Sequence, residues 1–217
     1  MGLGTNEDIT YLNVSDGKLR QRVDANTEGA KNRSGSVNGK DYSVWELVYP
    51  SVDGYIKSIA YREHDTYGNS WNVKLQDSNG EIFMVSLKEK SNYFQRFAEL
   101  LPNIDFSKPV VLKPYSIPIK GKEYKNQGLT VEQGGSKLAS YYKTWDSKTE
   151  KTTLKNGMED FNFAKADGKD ERDILKIKLI KFLRAETDKQ IERLVDYLDT
   201  APATPSNSDE GDDDLPF

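Results

Sequence analysis

Tyr55-Ile56-Lys57-Ser58-Ile59-Ala60-Tyr61-Arg62 is the stretch that decides the fold, because its apolar and polar side chains alternate with a period of two. Two stretches of the same kind follow, from Trp71 to Gln76 and from Ile82 to Leu87. Turn residues at Gly68-Asn69 and Ser78-Asn79-Gly80 separate them. Three short strands joined by turns predict an antiparallel meander.

Further strands are predicted upstream of this meander. The alternation of Leu12 to Val14 and of Leu19 to Val23 predicts a first strand or hairpin. A polar loop is expected from Asp24 to Asp41, because this segment is rich in Asn, Gly and Ser. Tyr42 to Tyr49 is predicted to be a strand that ends at Pro50.

Downstream of the meander, the pattern changes to helical and then returns to strands. Ser91 to Leu101 is predicted to be a helix, since its apolar residues recur at helical spacing and Ser91 is a suitable cap. Val110 to Ile117 and Glu123 to Val131 are strand-like. Pro114 and Pro118 predict that the first of these is an edge strand or a bent strand.

These elements predict a mainly β domain over residues 1–144. Five or more strands with one interposed helix suit a small Greek-key barrel of the oligonucleotide-binding (OB) type. A sandwich or an α+β domain fits the pattern almost as well.

The C-terminal third divides into three predicted parts. Residues 145–169 form a polar linker or arm, rich in Lys, Thr, Asp and Gly. Residues 170–199 form a helical segment of two helices, the second opened by a capping-box pattern at Thr187-Asp188-Lys189-Gln190. Residues 200–217 form a disordered tail that ends in an acidic tip.

Composition excludes several functions. The chain of 217 residues contains no cysteine, so thiolate metal sites and cysteine nucleophiles are excluded. His64 is its one histidine, and Gly35 to Asp41 does not match a phosphate-binding loop. No catalytic residue, cofactor or metal is therefore predicted. Neither an apolar run of about 18 residues nor a signal-peptide pattern occurs, which predicts a cytoplasmic protein without membrane contact.

The charge of the chain is divided between body and tail. The chain has 31 basic and 35 acidic residues, and five of the acids lie between Asp209 and Asp214. Residues 1–208 therefore carry 31 basic residues against 30 acidic ones, so the body is nearly neutral. Any binding of nucleic acid must depend on where the cations lie rather than on bulk charge.

Aromatic and basic residues are interleaved along the predicted strands. On a barrel surface, aromatic rings can stack on unpaired bases while lysines and arginines follow the phosphates. Aromatic residues are also favoured in strands for packing alone. The candidate residues for single-stranded DNA binding are Arg22, Trp45, Tyr55, Lys57, Tyr61, Arg62, Trp71, Lys74, Lys113, Tyr115, Lys122 and Tyr124.

The last six residues, Asp212-Asp213-Asp214-Leu215-Pro216-Phe217, carry a resemblance to a known family. Bacterial single-stranded DNA-binding proteins end in Asp-Asp-Asp-(Ile/Leu)-Pro-Phe, and this chain is similar to them in order and position. Its body looks more like that of a phage-encoded member. The resemblance implies a non-enzymatic protein of a bacterial cell or phage-infected host that coats and protects single strands during replication, recombination or repair.

The tip is the predicted site for protein partners. Phe217 offers a ring and a terminal carboxylate on one residue, and Asp212, Asp213 and Asp214 favour a basic rim around the apolar pocket that takes Leu215, Pro216 and Phe217. The resemblance implies replication, recombination or repair proteins as partners. An adaptor that docks through the same tip without binding DNA is the alternative, and the oligomeric state stays open.

Overall fold

The computed structural model describes residues 8–37 and 39–201. The predicted tip, Asp212 to Phe217, and the tail from 202 onward lie outside the described residues. Within the described part, the strands in chain order are β1 (Ile9–Ser15), β2 (Lys18–Val23), β3 (Lys31–Val37), β4 (Lys40–Tyr49), β5 (Val52–Arg62), β6 (Ser70–Gln76), β7 (Ile82–Lys88), β8 (Val110–Pro118), β9 (Lys125–Gln133), β10 (Ser136–Lys137), β11 (Lys143–Asp146) and β12 (Lys151–Leu154). The helices are α1 (Asn92–Leu100) and α2 (Gly168–Thr200), with 3-10 turns at Leu101–Asn103, Glu159–Phe161 and Phe163–Lys165.

The first ten strands form one large sheet in the order β10-β9-β8-β5-β6-β7-β1-β2-β4-β3. The chain is thus mainly β, as predicted, and β5-β6-β7 is the predicted meander. The strands before it do not extend that meander, because β1 pairs in parallel with β7. A parallel pair joins segments that are distant in sequence, so no local turn signal marks it.

The predicted polar loop from Asp24 to Asp41 is wrong, because it contains β3. This strand pairs along its whole length with β4, from Lys31 opposite Glu46 to Val37 opposite Lys40. β3 is the last strand of the sheet and has a single neighbour. Its sequence lacks apolar alternation because the exposed edge of a sheet requires little burial.

A β-bulge in β5 changes which side chains share a face. The pairing with β6 shifts between Ile56 and Ser58, so one extra residue lies on β5. Strict alternation would place Tyr55, Lys57 and Tyr61 on one face. After the bulge, Tyr61 instead points to the inner side, opposite Trp71, and Ala60 points outward.

The core lies between the inner side of the sheet and α1. Ser91 caps α1, since its side-chain oxygen accepts a hydrogen bond from the backbone N–H of Phe94. Phe94 stacks on Trp71 with 5.4 Å between ring centroids and 2° between planes. The predicted helix is thus confirmed. A 3-10 turn at Leu101–Asn103, which contains Pro102, follows it.

The β1–β2 hairpin packs its turn against β8. Gly17 has φ +72°, and a Cβ at this position would collide with the backbone of Tyr115 and Ser116. Its N–H donates a hydrogen bond to the hydroxyl of Tyr93 at 2.8 Å. β8 has two neighbouring strands only at Val110 to Leu112, where it pairs with both β5 and β9. From Lys113 to Pro118 it pairs with β9 alone. Of the predicted edge strand or bent strand, the pairing agrees with an edge strand for this half of β8.

The helical segment is one continuous helix, so the prediction of two helices is wrong. Thr187 is buried within α2, and its hydroxyl donates to the carbonyl of Leu183 at 2.7 Å instead of capping a new helix. The helix packs on the body through Leu179, Leu183 and Leu194. Arg193 donates to the carbonyls of Pro102 and Ile104 and ties the helix to the 3-10 turn.

The segment at 145–169, predicted to be a polar linker or arm, is folded. It contains β12 and the second half of β11, which pair as a separate hairpin. Met158 is buried, and Leu154, Phe161 and Phe163 pack against the core cluster. The polar composition of the segment hid these few apolar residues. Among the helices of the described residues, none has the length and apolarity needed to cross a membrane.

Candidate nucleic-acid interface

The outward-pointing side chains of β5, β6, β7, β1 and β2 form a continuous surface, called here the outer face. Strand register places its members in rows, with Ser58, Lys74, Met84 and Tyr11 next to one another across four strands. The outer face includes Tyr11, Asn13, Arg20, Arg22, Tyr55, Lys57, Ser58, Ala60, Asn72, Lys74, Met84 and Ser86. These residues include four cations, of which Arg20 is paired with Glu46 of the neighbouring β4, although the body as a whole is nearly neutral.

Tyr11 is the most accessible ring of the outer face and was not among the candidates from sequence. It is 61% exposed and lies opposite Met84, two strands away from Lys74. The alternation of Tyr11-Leu12-Asn13-Val14 does place the ring outward. Its neighbours follow only from the parallel pairing of β1 with β7, which no sequence pattern predicts.

Tyr55 and Lys57 lie together on the outer face, as predicted. Tyr55 is 37% exposed, and the ammonium of Lys57 lies 5.7 Å from the centroid of its ring. The two residues are two positions apart along β5, so alternation places them on the same side. A ring next to a cation offers both stacking and charge to a single strand of nucleic acid.

Tyr61 lies on the inner side and is a poor candidate for stacking. The guanidinium carbon of Arg184, on α2, lies 3.9 Å from the centroid of the Tyr61 ring. The hydroxyl accepts a hydrogen bond from Asn69 Nδ2 at 2.6 Å. Burial raises the pKa of Tyr61, with a smaller contribution from the carboxylate of Glu89. The ring therefore helps to hold α2 on the sheet.

Trp71 is a core residue, which corrects its place among the binding candidates. Its exposed fraction is 0%, and its ring lies between Tyr61 and Phe94. A base cannot reach this ring without unfolding the inner side of the sheet. Strand preference and stacking preference select the same aromatic residues, so the sequence alone did not separate these roles.

Trp45 and Arg22 lie on opposite sides of the sheet. Arg22 is opposite Glu46, whereas Trp45 is opposite Val23, one residue out of phase. Arg22 belongs to the outer face and is exposed. Trp45 points to the other side of the sheet, where it is 37% exposed and does not belong to the buried core. Arg62 is exposed at the end of β5. It lies opposite Ser70 of β6, which in turn lies opposite Lys88 of β7.

Lys113 and Tyr115 lie on β8, separate from the outer face. The ammonium of Lys113 is paired with the carboxylate of Glu132. Tyr115 covers Gly128 on β9, where an added Cβ would collide with the Tyr115 ring. One face of this ring is thus occupied by the neighbouring strand.

Lys122 and Tyr124 are together in the loop between β8 and β9. The Lys122 ammonium lies 5.1 Å from the centroid of the Tyr124 ring, and both side chains are exposed.

The loop between β5 and β6 holds another exposed ring, Tyr67. There His64 Nδ1 accepts hydrogen bonds from the backbone N–H groups of Thr66 and Tyr67 at 3.2 Å each, so His64 has a structural role in the turn.

A charge cluster borders the outer face at β4. Glu46 accepts hydrogen bonds from Arg33 Nε at 2.9 Å, from Arg33 Nη2 at 2.6 Å and from Arg20 Nη1 at 3.1 Å. These bonds, first those from Arg33, hold the pKa of the Glu46 carboxyl below its ordinary value. Two cations against one carboxylate leave this border with a net positive charge.

The opposite side of the same strands carries a cleft of different chemistry, called here the acidic cleft. It has a volume of about 320 Å³, and its lining includes Asp53, Asp77 and Glu81 beside Tyr49 and Phe83. Asp77 Oδ1 accepts the backbone N–H groups of Asn79 and Glu81, so it also closes the β6–β7 turn. The phosphates of a nucleic acid would be repelled here.

Comparison of the chain with models of protein families, with curated proteins and with solved structures found no match. Function is therefore inferred from the residues and their arrangement.

Proposed function

We propose that this chain is a sequence-independent single-stranded DNA-binding protein without enzymatic activity. The observation that carries the proposal is the outer face, where the exposed rings of Tyr11 and Tyr55 lie among Lys57, Lys74 and Arg22. Rings stack on bases of any kind, and cations follow the phosphates, so this arrangement suits binding without sequence readout.

The strand order supports an OB-type barrel as the finer description of the fold. β5 to β9 serve as strands 1 to 5, in the spatial order β9-β8-β5-β6-β7, and α1 lies between the third and the fourth. Oligonucleotides bind OB domains over strands 2 and 3 and between two flanking loops. In this chain, β6 and β7 correspond to those strands, and the β5–β6 and β8–β9 loops carry Tyr67, Lys122 and Tyr124.

The tip supports a role in recruiting other proteins. Asp212 to Phe217 combines three carboxylates with an apolar C-terminal ring, and its resemblance to the tips of bacterial single-stranded DNA-binding proteins supports replication, recombination or repair proteins as partners. Coating of a single strand by the body would then place such partners on that strand.

Titration of a fluorescent oligothymidine into the full chain tests the proposal. We expect binding whose affinity falls with salt, with a slope of about −0.7 per phosphate contact in a log–log plot. A duplex of the same length should bind more weakly, because its bases are not available for stacking.

Absence of binding to the oligothymidine at low salt would overturn this proposal. It would favour the alternative, an adaptor that docks through its tip and does not bind DNA. The nearly neutral charge of residues 1–208 is the observation that favours that alternative.

A further inference from the structure

The hairpin of β11 and β12 is a folded arm outside the large sheet. Its base is anchored by Lys143, whose ammonium contacts Glu99 of α1 at 2.5 Å, and by the backbone N–H of Lys155, which donates to the carbonyl of Tyr142 at 2.9 Å. Leu154 packs against the core cluster. A two-stranded hairpin is marginal by itself, so these anchors hold it in place.

Trp145 is exposed on this hairpin. It is 63% exposed and lies opposite Thr152, next to the Asp146–Lys151 pair that borders the turn. Exposure of a large ring on a short hairpin adds little to the stability of the fold, because burial is what stabilises such a side chain. The ring is thus available for an external contact.

The charge around Trp145 favours an anionic ligand. Lys148 and Lys151 are exposed at the turn, close to Trp145 along the chain, and the exposed Glu150 lies between them. Asp146 is used inside the turn, where its carboxylate accepts the backbone N–H of Lys148 at 2.9 Å and the hydroxyl of Thr149 at 2.8 Å. With Asp146 held inside the turn, the exposed charged side chains of the turn are two lysines against Glu150, an excess of cations that suits a ligand with phosphates.

Two clefts meet at the base of the hairpin, and both include Gln95 and Lys143 in their lining. One, of about 260 Å³, is polar and extends to Tyr115 on β8. The other, of about 310 Å³, is lined by apolar side chains that include Phe161 and Phe163. A polar path from β8 and an apolar recess beside it match the backbone and the bases of a single strand.

We propose that this hairpin is a second element for binding single-stranded DNA, in which Trp145 stacks on a base and Lys148 and Lys151 contact phosphates. A strand that leaves the β8–β9 side of the barrel reaches it through the polar cleft beside Tyr115. The inference rests on the proposed function and extends the bound strand beyond the outer face.

Oligothymidines of two lengths separate the two elements. One of about 8 nucleotides occupies a single OB-type site, and one of about 30 nucleotides can reach both elements, because a single OB fold covers about 4–16 nucleotides. In the full chain, W145A should weaken binding of the long strand about 5- to 150-fold, since loss of one stacked base costs about 1–3 kcal/mol. Binding of the short strand should stay unchanged.

Two matched variants separate stacking from structure. W145F keeps a ring and should retain most of the affinity for the long strand, whereas I177A removes another exposed apolar side chain, on α2, and should bind both strands like the wild type. In a W45F background, Trp145 is the accessible tryptophan of the described residues because Trp71 is buried. The long strand should quench its fluorescence, and W145F should abolish that quenching.

The outcomes distinguish this inference from the proposed function. Equal affinity of W145A and the wild type for the long strand overturns the second element while the outer face continues to bind. An equal loss on both strands also overturns it, since Trp145 would then support the whole fold. Failure of the wild type to bind either strand overturns both proposals.

Discussion

The outer face and the acidic cleft lie on opposite sides of the same strands. β1 contributes Tyr11 to the outer face and Thr10 and Leu12 to the cleft, while β2 contributes Arg22 to one and Gln21 to the other. Alternation of side chains therefore gives one surface cations and the other carboxylates. A body with almost no net charge can in this way offer a surface on which cations outnumber acids.

The difference between the two surfaces also teaches that concavity does not identify the site. The acidic cleft is well formed, yet its carboxylates oppose a polyanion. The outer face is more open and carries rings with cations. Predictions that change one surface while leaving the other intact test which of them binds DNA.

Charge reversal on the outer face should have the largest effect. R22E combined with K57E should weaken oligothymidine binding on the order of 100-fold at low salt and reduce the log–log salt slope by about 1.4, since two phosphate contacts are lost. Fluorescence titration over a salt series measures both values. E81K, on the acidic cleft, is the control and should change affinity by less than about threefold; an equal response of the two surfaces would contradict the comparison.

Removal of rings from the outer face should have the next largest effect. Y11L and Y55L keep apolar bulk but remove the stacking surface, so each should weaken binding about 5- to 150-fold while leaving the salt slope unchanged. Y49L removes a ring that lines the acidic cleft and serves as the matched control. Thermal unfolding identifies any loss of fold. If Y49L weakens binding more than Y11L does, the rings of the outer face do not contact the bases.

Substitution of Glu46 should separate stability from binding. E46Q removes a carboxylate held by Arg20 and Arg33, so the free energy of unfolding at pH 7 should fall by about 1 kcal/mol. DNA binding should become a few-fold tighter, because both arginines are then available to phosphates. Urea unfolding and oligothymidine titration of the same samples measure the two effects, and a weakened affinity would argue that Glu46 positions the arginines for binding.

The pH dependence of this variant follows from the lowered pKa of Glu46. A carboxyl whose pKa is lowered in the folded state stabilises the protein at pH values above its ordinary pKa of 4.5. This contribution is lost as the pH falls through the pKa of the folded state. The stability difference between wild type and E46Q should therefore shrink below pH 4.5. A difference that grows on acidification would contradict the assignment.

Deletion of Asp209 to Phe217 should have the smallest effect. The eighteen residues from Thr200 to Phe217 reach up to about 60 Å if extended, so the tail acids can compete with DNA for the outer face. Affinity should rise a few-fold at low salt and stay unchanged at high salt, where these charges are screened. Unchanged affinity of the truncated chain at low ionic strength would refute the competition.

Much of the fold could be predicted from local patterns. The meander of β5, β6 and β7, the capped helix α1 and the strands β8 and β9 follow from alternation, caps and turn residues. β3 could not be predicted, because an edge strand carries no apolar pattern. The continuity of α2 was missed, because Thr187 can either cap a helix or bond to Leu183 within one, and only packing decides between these.

The candidate site could be predicted less well than the fold. Tyr55, Lys57 and Lys74 lie on the outer face together, as their interleaving suggested. Tyr61 does not, because a single extra residue in β5 reverses the alternation. Trp71 does not either, because it alternates with the buried Val73 and Leu75 on the inner side of β6. Tyr11 was missed since its neighbours come from a parallel pair of distant strands.

The sequence by itself determined the mainly β class, the helix after the meander, the near neutrality of the body and the acidic tip with its terminal ring. These properties depend on composition and on neighbours within a few residues. Tertiary structure alone decided which rings are buried, which cations share a surface and where carboxylates gather. Such choices depend on strand register, on one bulge and on long-range pairing, and these are set by the packing of the whole core.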